Sequence, residues 1–180
     1  AAYQGGLFQK LGPDLILECP KLEADDCAAL MVKRILATSD RDIVVITGDK
    51  DYLQLASERV QIWNMNGGGT CLACEDGHIE LLKKVLIGDP SDNIKGVIGV
   101  ARAKRLLASM TNKSPAARDE YLQAELSEGE MAAYQQNRQL ISFECIPDVL
   151  SSAYASLYPL RSVDEQSSAD ARDYLTGVAC

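Results

Sequence analysis

The chain has 180 residues, enough for one ordinary domain or one domain with a small appendage, and its 47% hydrophobic content suits folding around a real core. No apolar run approaches the roughly 20 residues that cross a bilayer, and the opening AAYQGGLFQK has no charged-then-apolar signal pattern, so an intracellular address is expected. A net charge of −8 argues against a uniformly basic nucleic-acid binder. It does not exclude an enzyme whose acids are gathered in a metal site, where bound cations cancel them.

In chain order, residues 3–11 read as the end of a helix and DLILEC (Asp14 to Cys19) as a short buried strand. LEADDCAALMVKRILA follows, with Ala24, Cys27, Ala28, Met31 and Ile35 at helical spacing and acids in the first turn. DIVVIT (Asp42 to Thr47) is a continuous apolar, β-branched run, hence a second buried strand, and DYLQLA is the helix after it. VQIWN alternates as a third strand and ends in NGGGT, which is turn chemistry. Strands separated by helices imply an α/β unit with a mostly parallel sheet.

From His78 onward the pattern is helical. HIELLKKVLI is a helix, GDPSDN a loop, GVIGV a glycine-framed turn and ARAKRLLASM a helix with basic residues on one side. Ser114 with Pro115 marks a helix start, Ser127 with Glu130 a capping box for EMAAYQQNRQLISF, and IPDVLSSAYASLY a last helix. The expected organisation is an α/β core over 1–88, a helical part over 89–160 and a polar, loosely held tail over 161–180. Of the cysteines only Cys71 and Cys74 form a C-x-x-C pair. With His78 they offer three ligands of a metal knuckle and no local fourth, so reduced, structural cysteines are the expectation.

Acids recur at three corresponding places: Glu23, Asp25 and Asp26 after DLILEC, Asp49 and Asp51 after DIVVIT, and Asp89 and Asp92 in GDPSDN. Singly, each has an ordinary explanation, because acids favour the first turn of a helix and cap it. Parallel strands, however, end at one edge, and ligands bind in the crevice outside their carboxyl ends. Carboxylates converging there repel unless hard cations lie between them, which is the oxygen-only chemistry of Mg²⁺ or Mn²⁺. Two such ions about 4 Å apart clamp the oxygens of a phosphodiester.

LEADD, TGDKDYLQL and GDPSDNIKGVIGVARAKRLL, in this order, resemble the 5′ nuclease superfamily of flap endonucleases, polymerase I 5′ nuclease domains and phage 5′-to-3′ exonucleases. MAAYQQNRQLISFECIPD resembles the helical ending of its phage ribonuclease H branch. The resemblance implies a PIN-like nuclease core followed by a helix-hairpin-helix element. It implies a Mg²⁺-dependent exonuclease or flap endonuclease acting at 5′ ends of primers or flaps on duplex DNA in replication or repair. It assigns Glu23, Asp25 and Asp49 to a first metal, Asp51, Asp89 and Asp92 to a second, and Asp26 to the same motif. It also assigns duplex contact to Lys95, Gly96, Gly99, Arg102, Lys104 and Arg105, with K⁺ as a further candidate ion at the hairpin turn. Glycines there let backbone N–H groups approach a phosphate, and the helix N-terminus favours it.

Family members begin with a strand ending in a metal-binding aspartate, followed by a basic helical arch, and neither has a counterpart in these residues. The expectation is therefore a C-terminal two-thirds of a nuclease, poorly stable alone and completed by another chain or segment. The alternative is a non-catalytic, structure-specific DNA-binding module or one half of a split nuclease. A phosphatase-like α/β protein leaves GVIGVARAKRLL without a role, and the tail offers only Tyr174 as an aromatic anchor, so no clamp binding is expected.

Overall fold

The computed structural model describes residues 15–64, 70–72 and 76–159. The helix expected over residues 3–11, the glycines of NGGGT, Cys74 and the tail lie outside them. The chain runs α1 (Ala24–Thr38), β1 (Ile43–Thr47), a 3₁₀ helix (Lys50–Leu55), β2 (Val60–Asn64), β3 (Thr70–Leu72) and α2 (Gly77–Ile87). A small hairpin, β4 (Gly88–Asp89) and β5 (Ile94–Lys95), leads into α3 (Val100–Met110), α4 (Pro115–Glu125) and α5 (Glu128–Ile141). A second 3₁₀ helix (Phe143–Cys145) and α6 (Asp148–Leu157) complete the described part.

β1 and β2 pair in parallel, with Ile43 opposite Val60 and Thr47 opposite Asn64. β3 is antiparallel to β2, so the described sheet, in order β1-β2-β3, is a small parallel pair extended by a short antiparallel strand. Val32 and Leu36 of α1, with Tyr52, Leu53 and Leu55 of the 3₁₀ helix, pack against Ile43, Val45, Val60 and Ile62. This covers one face. Val44 and Ile46, on the other, are 37% and 65% exposed, so the IVVIT run is buried on one face only.

The strand expected over Asp14 to Cys19 is not formed: residues 15–19 have no regular secondary structure, and Leu15 is exposed. Two local facts explain this. Pro20 follows at once and has no N–H for a ladder. Glu18 is paired instead with a side chain, its N–H donating to the Tyr158 hydroxyl at 2.5 Å and its carbonyl accepting from that hydroxyl at 2.6 Å. Leu17 and Cys19 nevertheless turn inward, packing with Cys27 and Leu30 of α1 and Tyr154 of α6.

The helical part has its own core, in which Leu81, Leu82, Val85 and Leu86 of α2 meet Ala103, Leu106, Leu107 and Met110 of α3, Leu122 of α4 and Tyr134 of α5. α2 also touches the sheet side, since Gly77 at its start donates to the Ala56 carbonyl at 3.0 Å. It is the beam joining the two. The expected caps are present: Ser114 accepts from Ala117 N with Pro115 next to it, and Ser127 and Glu130 cap one another's backbone N–H groups at 3.4 and 2.9 Å.

α2 ends at Gly88, whose φ of 86° lies in the left-handed region. A Cβ there would sit 2.5 Å from Gly96 N and Ile94 O, inside the hairpin that carries Asp89. Gly88→Ala is therefore expected to lower stability by about 2–3 kcal/mol, combining the left-handed penalty with backbone displacement. Urea unfolding of the variant beside the parent protein checks this. A loss under about 0.5 kcal/mol would contradict the geometry.

Candidate metal centre

The site is built from two turns held against each other by α2. Where β1 ends, Asp49 N–H donates to Thr47 Oγ1 at 3.0 Å and Asp51 N–H donates to Asp49 Oδ1 at 2.9 Å. Asp49 is thus the cap of the 3₁₀ helix, as an isolated aspartate there would be expected to be, and the cap aims Asp51 at α2. Beyond α2, Asp89 Oδ1 accepts from Ser91 N at 3.0 Å and from Ser91 Oγ at 2.5 Å, which fixes a nearly buried carboxylate at the hairpin turn. Asn93 takes the left-handed conformation, φ 58°, which an asparagine tolerates, and returns the chain past the exposed Asp92.

The result is a cluster in which Asp51, Asp89 and Asp92 each offer an oxygen, all within 4.8 Å of one another. Among the described residues no other group of three acids, cysteines or histidines meets so closely. Lys84, from the last turn of α2, lies between two of them, paired with Asp51 and, at 2.6 Å, with Asp89 Oδ2. An oxygen-only donor set with one face toward solvent fits a hard divalent cation.

Beside this trio opens a cavity of about 670 Å³ lined by Glu23, Asp25, Asp26, Asp49, Asp51 and Asp92, with Lys21 and Lys84 as its cations among the described residues, while Asp89 faces an adjoining cleft with Asp49, Asp51, Lys84 and Ser91. The acids at the start of α1 therefore do reach the same cavity as Asp49 and Asp51, although no strand precedes them. Asp26 Oδ2 accepts from Glu23 N at 3.1 Å and Asp25 Oδ1 from Asp26 N at 2.9 Å, so Asp26 is partly committed to capping α1. The end of α5 and the segment after it also line the cavity, with Leu140, Ile141, Phe143, Ile146, Pro147 and Leu150 interspersed with Gln139, Ser142 and Cys145.

The three acids of the trio are electrostatically unequal. Lys84 first and Ser91 next pull the Asp89 carboxyl down to about 2. Burial pushes Asp51 above the ordinary carboxylate value, more than Lys84 lowers it, and Asp49 and Asp89 add to the rise. Burial works against the charge of Lys84, but its hydrogen bonds to Asp51 and Asp89 outweigh that and raise its pKa. One ammonium is shared by two carboxylates.

The duplex-contact candidates divide. Arg102 is engaged inside the protein, Nη1 to Glu130 Oε1 at 2.5 Å and Nη2 to the Glu125 carbonyl at 2.7 Å, joining α3 to α5. Lys95, Lys104 and Arg105 are exposed and make no ion pair among the described residues. A Cβ on Gly96 would collide with the Ile87 carbonyl, so close packing under α2 demands that glycine. Gly99 is different: a Cβ there would meet nothing within 4 Å, and the residue caps α3 with open space before it. Val97 and Ile98 N–H groups both donate to the Leu86 carbonyl, at 2.9 and 3.3 Å, which pins this turn to α2.

Lys84 was not among the candidates drawn from the sequence. Its one signal is a basic residue in the last turn of a helix, where the dipole favours cations. Lys83, one residue before that turn, is exposed and pairs with Glu80. His78, the third ligand of the supposed knuckle, has its Nδ1 3.4 Å from Arg118 Nη1, and burial pushes its pKa down.

A family model described as the N-terminal resolvase-like domain of 5′-3′ exonucleases matches residues 7–81. Ribonuclease H of Enterobacteria phage T4 is 28% identical over 157 residues, covering 81% of this chain and 51% of that protein. The thermostable DNA polymerase I of Thermus thermophilus is 36% identical over 99 residues, covering 51% of this chain and 12% of the polymerase. The fold is similar to that of the T5 D15 protein co-crystallised with metal ions, with a TM-score of 0.58 and 21% identity over 84% of this chain and 64% of that one. A mutant of the T5 5′-exonuclease gives 0.56 and 21%, over 76% of this chain and 65% of that one.

These likenesses show a resolvase-like fold and a similarity of the chain to 5′ nucleases. It spans about half the length of the phage T4 relative. No helix among the described residues is long and apolar enough to cross a membrane.

Proposed function

We propose that the chain acts as a Mg²⁺- or Mn²⁺-dependent, structure-specific 5′ nuclease that hydrolyses phosphodiesters at the 5′ ends of primers or flaps in replication or repair. One observation carries this reading: Asp51 and the Asp89–Asp92 hairpin, distant in sequence, bring three carboxylate oxygens within 4.8 Å of one another at the mouth of an acid-lined cavity. Asp51, Asp89 and Asp92 would hold one cation, and Glu23, Asp25 and Asp49 a second ion or its water shell. When bound, such ions supply Lewis-acid polarisation of the phosphodiester and offset its developing charge. The chain's own residues fix where this happens: Ser91 and Lys84 orient Asp89, and the Asp49 cap orients Asp51.

Duplex grip would come from a helix-hairpin-helix element at Gly96 to Arg105. The N–H groups at the start of α3 have no earlier partner in the helix, Gly99 leaves the approach open, and Lys104 and Arg105 supply unpaired charge nearby. Such contacts set register without reading sequence.

The test is cleavage of a 5′-labelled flap duplex by the whole chain with Mg²⁺ and with EDTA, together with binding to the same duplex across a salt series. Cleavage only with Mg²⁺ supports the nuclease. Salt-sensitive binding without cleavage supports the non-catalytic, duplex-binding alternative, and neither outcome at any ionic strength would sink both. Removing Lys104 or Arg105 is expected to reduce the slope of log affinity against log salt by roughly one unit each. Arg102→Ala should instead act through stability, because its partners are Glu130 and Glu125.

A further inference from the structure

We infer that Gln54 is a positioning residue that locks the acid-bearing turn to the end of α5, which also lines the cavity, so that the two respond together when a cation binds. The inference rests on the metal reading above and extends it to how the site keeps its shape.

Gln54 lies on the 3₁₀ helix that begins with Lys50 and contains Asp51. That element is short, and none of its residues is fully buried. Short 3₁₀ segments have poor internal hydrogen-bond geometry and depend on outside contacts. The side chain of Gln54 reaches the point where α5 stops. Its Nε2 donates to the Ile141 carbonyl at 3.1 Å, and its Oε1 accepts from the Phe143 N–H at 3.1 Å. Both are groups that a helix end leaves without a partner, the carbonyl closing α5 and the N–H opening the 3₁₀ helix Phe143–Cys145.

The pairing needs an amide. One side chain must donate and accept at once, in the manner of a strand neighbour, and a carboxylate or an alkyl chain cannot do both. The two ends it joins differ in chemistry: Asp49 and Asp51 precede Gln54 on one side, while Ile141, Phe143, Ile146 and Pro147, from the other, line the same cavity. Tyr52 and Phe143 meet across the same seam, ring centroids 6.5 Å apart. A shift of the α5 end is therefore carried directly to the turn that aims Asp51.

Coupling of this kind is reciprocal, so it can be read in the unaltered protein. Saturating Mg²⁺ is expected to slow hydrogen exchange of the Phe143 amide at least severalfold, although Phe143 itself offers no cation ligand. In folded Gln54→Met and Gln54→Glu chains, Mg²⁺ affinity by calorimetry is expected to fall about tenfold, with Phe143 exchanging faster in the Met variant than in the Glu variant, which keeps the acceptor. Parent protein that binds Mg²⁺ with unchanged Phe143 exchange would overturn the inference, as would folded variants whose affinity stays within twofold of the parent. Parent protein that binds no Mg²⁺ would overturn the metal reading and this inference with it. The exchange measurement on the parent chain decides the matter even if neither variant folds.

Discussion

Asp51→Asn and Asp89→Asn are expected to abolish the same activity while moving stability in different directions. Each removes one of three converging carboxylates, and loss of a charge-bearing ligand at a phosphodiester site costs on the order of 100-fold or more in rate. Metal-dependent cleavage should fall by that amount in both, and the stabilisation conferred by added Mg²⁺, a direct consequence of binding to the folded state only, should shrink with it.

Without metal the two part company. The Asp89 carboxyl is held at about 2, chiefly by Lys84, against an ordinary value of 3.8. A depressed carboxyl contributes stability that is present above the unfolded value and is lost as pH falls toward 2, about 2 kcal/mol in this nearly buried group. Asp89→Asn should lose roughly that much at neutral pH. The Asp51 carboxyl is raised, mainly by burial, so ionising it works against folding above its folded pKa and ceases to do so in acid. Asp51→Asn should accordingly leave the metal-free melting temperature unchanged or slightly higher. Thermal melts of both variants with Mg²⁺ and with EDTA, beside the flap cleavage assay, check the pair. An Asp51→Asn chain that kept the full Mg²⁺-induced shift would remove Asp51 from the site.

Much of this site can be read before folding is considered, because its acids sit at junctions between apolar runs and helices, where chain topology leaves few places to go. The grouping of Asp51 with Asp89 and Asp92 is of that kind, and the geometry brings those three together. What cannot be read is the side-chain bonding that does the positioning. DLILEC has strand composition, but Tyr158, far along the chain, takes the Glu18 backbone groups a ladder would use. Arg102 has the composition of a phosphate contact, but a carboxylate on α5 claims it. Lys84 and Lys83 are adjacent basic residues near one helix end, and the path of the chain through Asp51 and Asp89 decides that Lys84 serves the cluster while Lys83 pairs with Glu80. Gly96 and Gly99 look like one motif, yet one is packed against a carbonyl and the other faces open space. In each case composition marks the residue as special, and a partner distant in sequence decides how.

The largest expected loss of stability lies away from the cavity, at Asp76. Arg118 is 3% exposed and spends every donor locally: Nη1 reaches Asp76 Oδ1 at 2.9 Å, Nη2 pairs with Asp76 Oδ2, and Nε and Nη2 reach the Met110 and Thr111 carbonyls at 3.0 and 3.1 Å. Asp76 also caps α2, accepting from Ile79 N at 3.2 Å. Asp76→Ala therefore removes a helix cap and strands a buried guanidinium. The first costs about 1 kcal/mol, and the second as much as 3–5 where no water enters. Because the Asp76 side chain is 37% exposed, water can reach part of the stranded charge, and a total near 3 kcal/mol is expected. Arg118→Met removes the charge but leaves two carbonyls without a donor, so it should cost less, about 2 kcal/mol, and the double variant should cost less than the sum. Arg118 holds the Asp76 carboxyl below its ordinary value, so this contribution is present at neutral pH and is lost as pH falls below the usual carboxylate range. Urea unfolding at pH 7 and pH 3 measures both effects, and a pH-independent cost of Asp76→Ala would contradict the ion-pair account. The same variant, once folded, should bind Mg²⁺ as the parent does, because α2 reaches Lys84 and Asp89 through a core of Leu81, Val85 and Leu86 that Asp76 does not touch. That separation, large in stability and absent in metal affinity, is the reverse of the pattern expected for Asp51. It distinguishes an acid that holds the fold from one that serves the site.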